Sequence, residues 1–256
     1  MKKNALFTLI ISVLIQMNTA FANNNISQSK SDIISKQFIK IQVDKSDNVG
    51  RAIKTIVGHY PQQASSIVGI ALDLYPNKYK EIIHAAISTQ PTLTAEVVTI
   101  ALNKNISSCT SIVETAINAD PSYVDFVVKA AVNTTPEELN EIVRIAVITE
   151  PDSADYIVQS LAKEHPSKIV DILSSAIGAV PFVGEYVVEA LLAILPDDAE
   201  IVITTAIRES SAQREHVKRI IETAHNSGLD LAKIEAYAIK GGATKEELSQ
   251  VLGNQK

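Results

Sequence analysis

The residues of this chain with chemistry to offer are five histidines, one cysteine and a long series of carboxylates. The histidines are His59, His84, His165, His216 and His225. No two stand in the H-E-x-x-H spacing that sets two imidazoles on one helix face for zinc. Cys109 is the only cysteine, so no thiolate pair can complete a tetrahedral site and no internal disulfide can form. There is no G-x-S-x-G elbow, no P-loop and no G-x-G-x-x-G turn. The carboxylates recur at a fixed spacing: Glu81, Glu141 and Asp171 hold equivalent places in a repeat. General acid–base work needs one asymmetric pocket with two carboxylates in different surroundings. Carboxylates repeated in every unit describe a solvated face instead. The expectation is a protein that is not an enzyme, with no catalytic, cofactor-binding or metal-binding residues.

The elements that carry these residues are set by proline. The nine prolines are Pro61, Pro76, Pro91, Pro121, Pro136, Pro151, Pro166, Pro181 and Pro196, and all lie on one fifteen-residue lattice whose single gap holds Ile106. With proline as position 1, positions 7 and 8 are Ile, Val or Leu throughout, as in Ile142-Val143 and Ile157-Val158, and position 11 is usually Ala. Apolar positions 4, 7, 8, 11 and 12 form the stripe of an amphipathic helix, not the alternation of a strand. Cys109 falls at position 4 of this stripe, which predicts a buried, inert thiol.

Proline is tolerated at a first helical position, where its missing N–H has no partner to lose, and it drives the preceding residue out of the helical region. Each proline therefore ends one helix and opens the next. Asp120 and Thr135 stand before prolines as N-cap candidates. A single long helix is excluded, because each interior proline would cost it about 3 kcal/mol. Helices of about ten or eleven residues joined by about four-residue turns fit the spacing, and helices so short need neighbours to be stable.

The lattice runs on without proline. A unit from Ser31 is expected to bury Ile34, Phe38 and Ile41, and one from Ser46 to bury Ala52, Ile53, Ile56 and Val57. The unit from Ser211 keeps Val217, Ile220 and Ile221, and the degenerate unit from Asn226 keeps Leu229, Ala232 and Ala236. The last unit has Leu248, Val251 and Leu252, a capping box at Thr244 and Glu247, and Gly253 as a stop. Gly241-Gly242 marks a helix end. The predicted fold class is all-α: an α-solenoid of about fifteen 15-residue helix–turn units, pairing as 30-residue helical hairpins. Clear repeats span 46–225, and 226–256 are degenerate capping units of the same domain, which covers 31–256. Tetratricopeptide, HEAT and armadillo arrays share this broad class, but their periods are longer and the Trp-Leu-Gly-Tyr pattern is absent, so no named family follows.

Residues 1–22 read as a secretory signal peptide: Lys2 and Lys3, an uncharged apolar run from Ala5 to Ile15, and Ala20-Phe21-Ala22 before the cut. The apolar run is too short to span a hydrocarbon core of about 30 Å. Residues 23–30, "NNNISQSK", read as a disordered leader. The style of the signal is bacterial, so the expected location is periplasm, cell surface or the medium. Without Lys2 and Lys3 the chain has 21 basic and 29 acidic residues, a net charge of −8. With no Lys/Arg cluster, binding to nucleic acid or to anionic lipid is not expected. No transmembrane segment is expected after signal removal.

A binding role is the expectation that remains. Position 6 points away from the core, and there the units alternate. Phe126, Tyr156, Tyr186 and then His216 recur every thirty residues, while Glu81, Ser111, Glu141, Asp171 and Ile201 fill the units between. This predicts one ring-bearing face and one mostly acidic face. A second departure is "AIGAVPFVGEYVVEALLAIL", where Phe182 and Val183 replace polar residues at positions 2 and 3. The candidate contact residues are Phe126, Tyr156, Tyr186, Phe182 and Val183. The expected function is an exported non-catalytic scaffold with a protein partner. The alternatives are self-association into a surface structure and binding of a glycan or lipid.

Overall fold

A computed structural model describes residues 36–253, and the signal peptide and leader expected at 1–22 and 23–30, with Ile34, lie outside the described residues. Every regular element described is helical, with no strand, and the fifteen helices make an all-α repeat solenoid. After a first helix over 36–44 (α1), the helices are α2 Val49–His59, α3 Ala64–Leu74, α4 Tyr79–Thr89, α5 Thr94–Asn103 and α6 Cys109–Ala119. Then come α7 Val124–Thr134, α8 Leu139–Thr149, α9 Ala154–Glu164, α10 Ile169–Ala179 and α11 Gly184–Ile194. The series closes with α12 Ala199–Glu209, α13 Arg214–Asn226, α14 Leu231–Gly241 and α15 Lys245–Leu252.

The hand-over between helices repeats bond for bond. Each of the nine prolines begins a three-residue 3-10 turn, and the α-helix proper runs from position 4 to position 14, or to position 13 in α5. Position 15, before the proline, turns out of the helical region, as at Glu150 (φ −136°, ψ 72°) and His165 (φ −128°, ψ 60°). Its N–H still reaches back to the position 11 carbonyl, as His165 N does to Leu161 O at 2.8 Å. Its carbonyl accepts from position 3, as His165 O does from Lys168 N at 2.8 Å. The turn is thus closed with its backbone groups bonded, and proline fills the one place where no donor is needed. Asp120 caps as expected, accepting from Ser122 N at 3.1 Å. Thr135 does not: its hydroxyl donates back to Ala131 O at 3.0 Å, so it is spent on the helix that ends there.

Each helix packs beside its neighbour in sequence and stacks on the next but one. The even-numbered helices therefore form one layer and the odd-numbered a second. The core lies between the layers and is built from positions 4, 7, 8, 11 and 12. Ile82, Ile112, Ile142, Ile157 and Ile172, all at position 7, are wholly buried. Cys109 is buried at position 4, and burial pushes its thiol pKa up. The thiol stays protonated and lies 3.4 Å from the Thr135 hydroxyl.

The ends depart from the expected register. On α1 Ile39 is buried and Ile41 exposed, so the core position there is not Ile41. On α14 Ile234 and Ala238 are buried while Ala232 and Ala236 are exposed, a shift of two residues from the expected pair. The cause is local. Gly228 adopts φ +79° and Asp230 caps the helix by accepting from Ala232 N and Lys233 N, so α14 starts two residues late. Gly242 ends it at φ +101°, and Thr244 with Glu247 forms the expected capping box.

Candidate functional site

Position 6 of the odd layer carries the ring ladder. Phe126 on α7, Tyr156 on α9 and Tyr186 on α11 are 50%, 64% and 55% exposed, so they do not serve the core. Their helices are successive members of one layer, and stacked helices lie about 8–10 Å apart. His216 continues the series on α13 and is half-buried.

The surface under the ladder is pinned across helices. Ser160 on α9 donates to Asp125 on α7. Lys129 on α7 bridges Asp125 at 3.3 Å and Glu164 on α9 at 3.2 Å. Burial opposes its charge, but these carboxylates prevail and raise its pKa. Gln159 on α9 donates to Ala190 O on α11 at 3.4 Å, and Arg219 on α13 pairs with Glu185 on α11 at 3.3 Å. The rings therefore stand on helices held in fixed relation. Asp152, Asp155 and Glu189, with the base Lys163, belong to the α9 and α11 units that carry the two tyrosines and make no ion pair among the described residues, a balance of three acids to one base.

Tyr123 joins the ladder, a residue the sequence reading missed. Its ring centroid lies 5.4 Å from that of Phe126. It sits three residues before Phe126, the spacing that puts two side chains on one helical face. The second candidate patch separates into two residues with opposite fates. Phe182 is 51% exposed, but Val183 is 1% exposed. Position 3 of that turn faces the interior, so Val183 is a core residue and not a contact. Ile194 and Leu195 are half-buried and packed against the core, which leaves Phe182 as the patch.

The even layer differs in chemistry. Over α2, α4 and α6 it holds an open groove of about 630 Å³ lined by Lys54, Lys80, His84, Glu114 and Asn118 among others. Cations, carboxylates and amides are mixed there, and no phenylalanine or tyrosine is present among the lining residues. Glu141 and Asp171 on this layer pair with Arg144 and Lys168 of their own units, at 2.8 and 3.3 Å.

The histidines stay apart. His59 contacts Thr55 O at 2.8 Å and His84 contacts Ser88 at 3.3 Å, each within its own helix. Among the described residues no group of three or more His, Cys, Asp or Glu side chains is placed to hold a metal ion. No helix among them is long and apolar enough to cross a membrane. Comparison with protein-family models, with curated proteins and with solved structures finds no match to this chain.

Proposed function

We propose that this chain is an exported, non-catalytic helical-repeat scaffold that holds an extended protein segment along the ladder of Phe126, Tyr156 and Tyr186. The observation that carries the reading is the exposure of three rings, one per step of the odd layer, on helices tied together by Ser160, Lys129 and Arg219. A step of about 8–10 Å between stacked helices matches one three-residue turn of an extended polyproline II segment, at about 3.1 Å per residue. Every third side chain of such a segment then meets a ring. Rings exposed in a row offer large contact area with little rotamer entropy to lose.

The flanking charge narrows the partner. Asp152, Asp155 and Glu189 favour lysine or arginine in the bound segment, and a cation over a tyrosine face adds about 0.5–2 kcal/mol. Export rests on the N-terminal signal, and the carboxylates that recur with the repeat favour a binding role over catalysis.

The test is site-specific photocrosslinking in the native cell envelope. A photoreactive residue at Tyr156 or Tyr186 is expected to trap a discrete partner, and one at Glu141 on the even layer is expected to trap none. Adducts at Glu141 equal to those at Tyr156, or none at either tyrosine, overturn the reading. The crosslinker replaces exposed side chains, so loss of fold does not confuse the outcome.

A further inference from the structure

One side of α14 is bare. Every even helix from α2 to α12 has another even helix stacked beyond it, and among the described residues α14 has none. A solenoid end exposed to water is normally covered by a polar outer face. Here the free side of α14 carries Leu231, Ala232, Ala236 and Ile239, spaced four and three residues apart on one face. Leu231 is 47% exposed and Ile239 45% exposed, although the opposite face of the same helix buries Ile234 and Ala238 completely. Together with Leu248 and Leu252 of α15 this face forms a groove of about 800 Å³. The groove lies where a sixteenth helix would continue the even layer.

The charges that line the groove indicate the occupant. Glu235 of α14 and Lys245 of α15 both border it, and neither makes an ion pair among the described residues. Their neighbours are engaged within the chain: Lys240 pairs with Glu200 at 2.6 Å, and Glu247 with Arg214. One unpaired acid and one unpaired base beside an apolar stripe make a surface complementary to itself. A two-fold axis brings the acid of each copy to the base of the other, and a two-fold contact of this kind closes on itself.

We infer that two copies of this chain associate end to end through α14 and α15, with α14 of each copy lying in the groove of the other and Glu235 of one meeting Lys245 of its partner. The contact supplies the missing helix of the even layer. It also sets two ring ladders in one assembly, which raises the avidity for any partner with two binding segments.

The contact is small. An eleven-residue α14 is about 17 Å long, and two helices side by side are about 20 Å wide, so the footprint is roughly 350 Å² per copy. Stable dimers bury about 800 Å² per partner. Association is therefore weak and concentration-dependent, with the dimer gaining from low micromolar toward near-millimolar protein.

Light scattering of the signal-free chain over that range tests the inference. The weight-average mass is expected to climb from one chain toward two and to level there. Ile239→Asp is expected to keep it at one chain, with the circular-dichroism spectrum unchanged because Ile239 is exposed. Glu235→Lys alone and Lys245→Glu alone are expected to weaken association at least tenfold. The double exchange, Glu235→Lys with Lys245→Glu, is expected to restore it. Each variant is safe for the fold: Glu235 lies on an open surface, and an acid at position 245 favours the first turn of α15. A constant monomer mass, or growth past two chains, overturns the inference. So does a double exchange that fails to recover association.

Discussion

The nine hand-overs led by proline and four of the five made without it solve one problem by different means. In the proline-led turns the chain enforces the break by sterics. Position 15 leaves the helical region because proline follows, and the side chain at that place need do nothing, as Thr135 illustrates. Where proline is missing, conformation and caps must be supplied residue by residue. At the gap, Asn105 takes φ +49° and Ser108 caps α6 by accepting from Ser111 N at 3.3 Å. At the C-terminal end Gly228 with Asp230, and Gly242 with Thr244, repeat that pairing of a left-handed residue and a capping side chain. The turn from α12 to α13 has neither proline nor a side-chain cap, and closes by Gln213 N donating to Ser210 O at 2.9 Å. Proline keeps the fifteen-residue step rigid. Its absence lets the register drift, and α14 drifts by two residues.

The largest expected effect tests whether the core notices this difference. Ile157 lies in a proline-led unit and Ile112 in the gap unit, and both are wholly buried at position 7. Ile→Ala at either is expected to cost about 2–5 kcal/mol, equally within the scatter of such changes. Urea unfolding followed by circular dichroism measures it. A much smaller cost at Ile112 means the gap unit packs more loosely, and the two kinds of turn are then not equivalent.

Next in size is the contrast between the start signals themselves. Ser108→Ala removes the cap of α6 and is expected to cost about 1 kcal/mol. Pro151→Ala keeps the turn's hydrogen bonds and mainly frees the unfolded chain, at about 0.4–1 kcal/mol. The same urea series ranks them. A reversed order means that proline, and not the cap, is the stronger device.

The smallest effect is local and concerns the end without prolines. The hydrogen bonds from Arg214 hold the Glu247 carboxyl below its usual pKa, and burial opposes them only in part. A folded pKa lowered in this way stabilises fully above the unfolded value of about 4.5, and the contribution fades as pH falls through the folded value. Amide exchange in α15 is expected to speed up below about pH 4.5, ahead of exchange in the proline-led units. Glu247→Gln is expected to flatten that dependence. Equal acid sensitivity along the whole stack removes the distinction.

Much of this was readable from the chain. The proline lattice set one helix of ten or eleven residues per unit, although proline opens a 3-10 turn three residues ahead of the α-helix and is not its first residue, and the apolar stripe assigned positions 4, 7, 8, 11 and 12 to the core. The thirty-residue alternation at position 6 put Phe126, Tyr156 and Tyr186 in one layer. These are local matters, set by steric rules and periodicity within one or two units.

Other features depend on the conformation of a particular turn or on residues about thirty positions apart. Phe182 and Val183 are neighbours of similar apolar character, yet one is exposed and the other buried because the stack covers only one of them. Tyr123 reaches Phe126 by the rotation of its turn. The buried face of α14 was misplaced by two residues because a glycine and a cap, not a proline, set its start. Its bare face is visible only when the helices packed on α14 are known. The sequence by itself determined the unit, its alternation between an odd and an even layer, and the residues each unit offers. The tertiary structure decided which of those residues are covered, because burial is conferred by the next helix but one and not by the unit that carries the side chain.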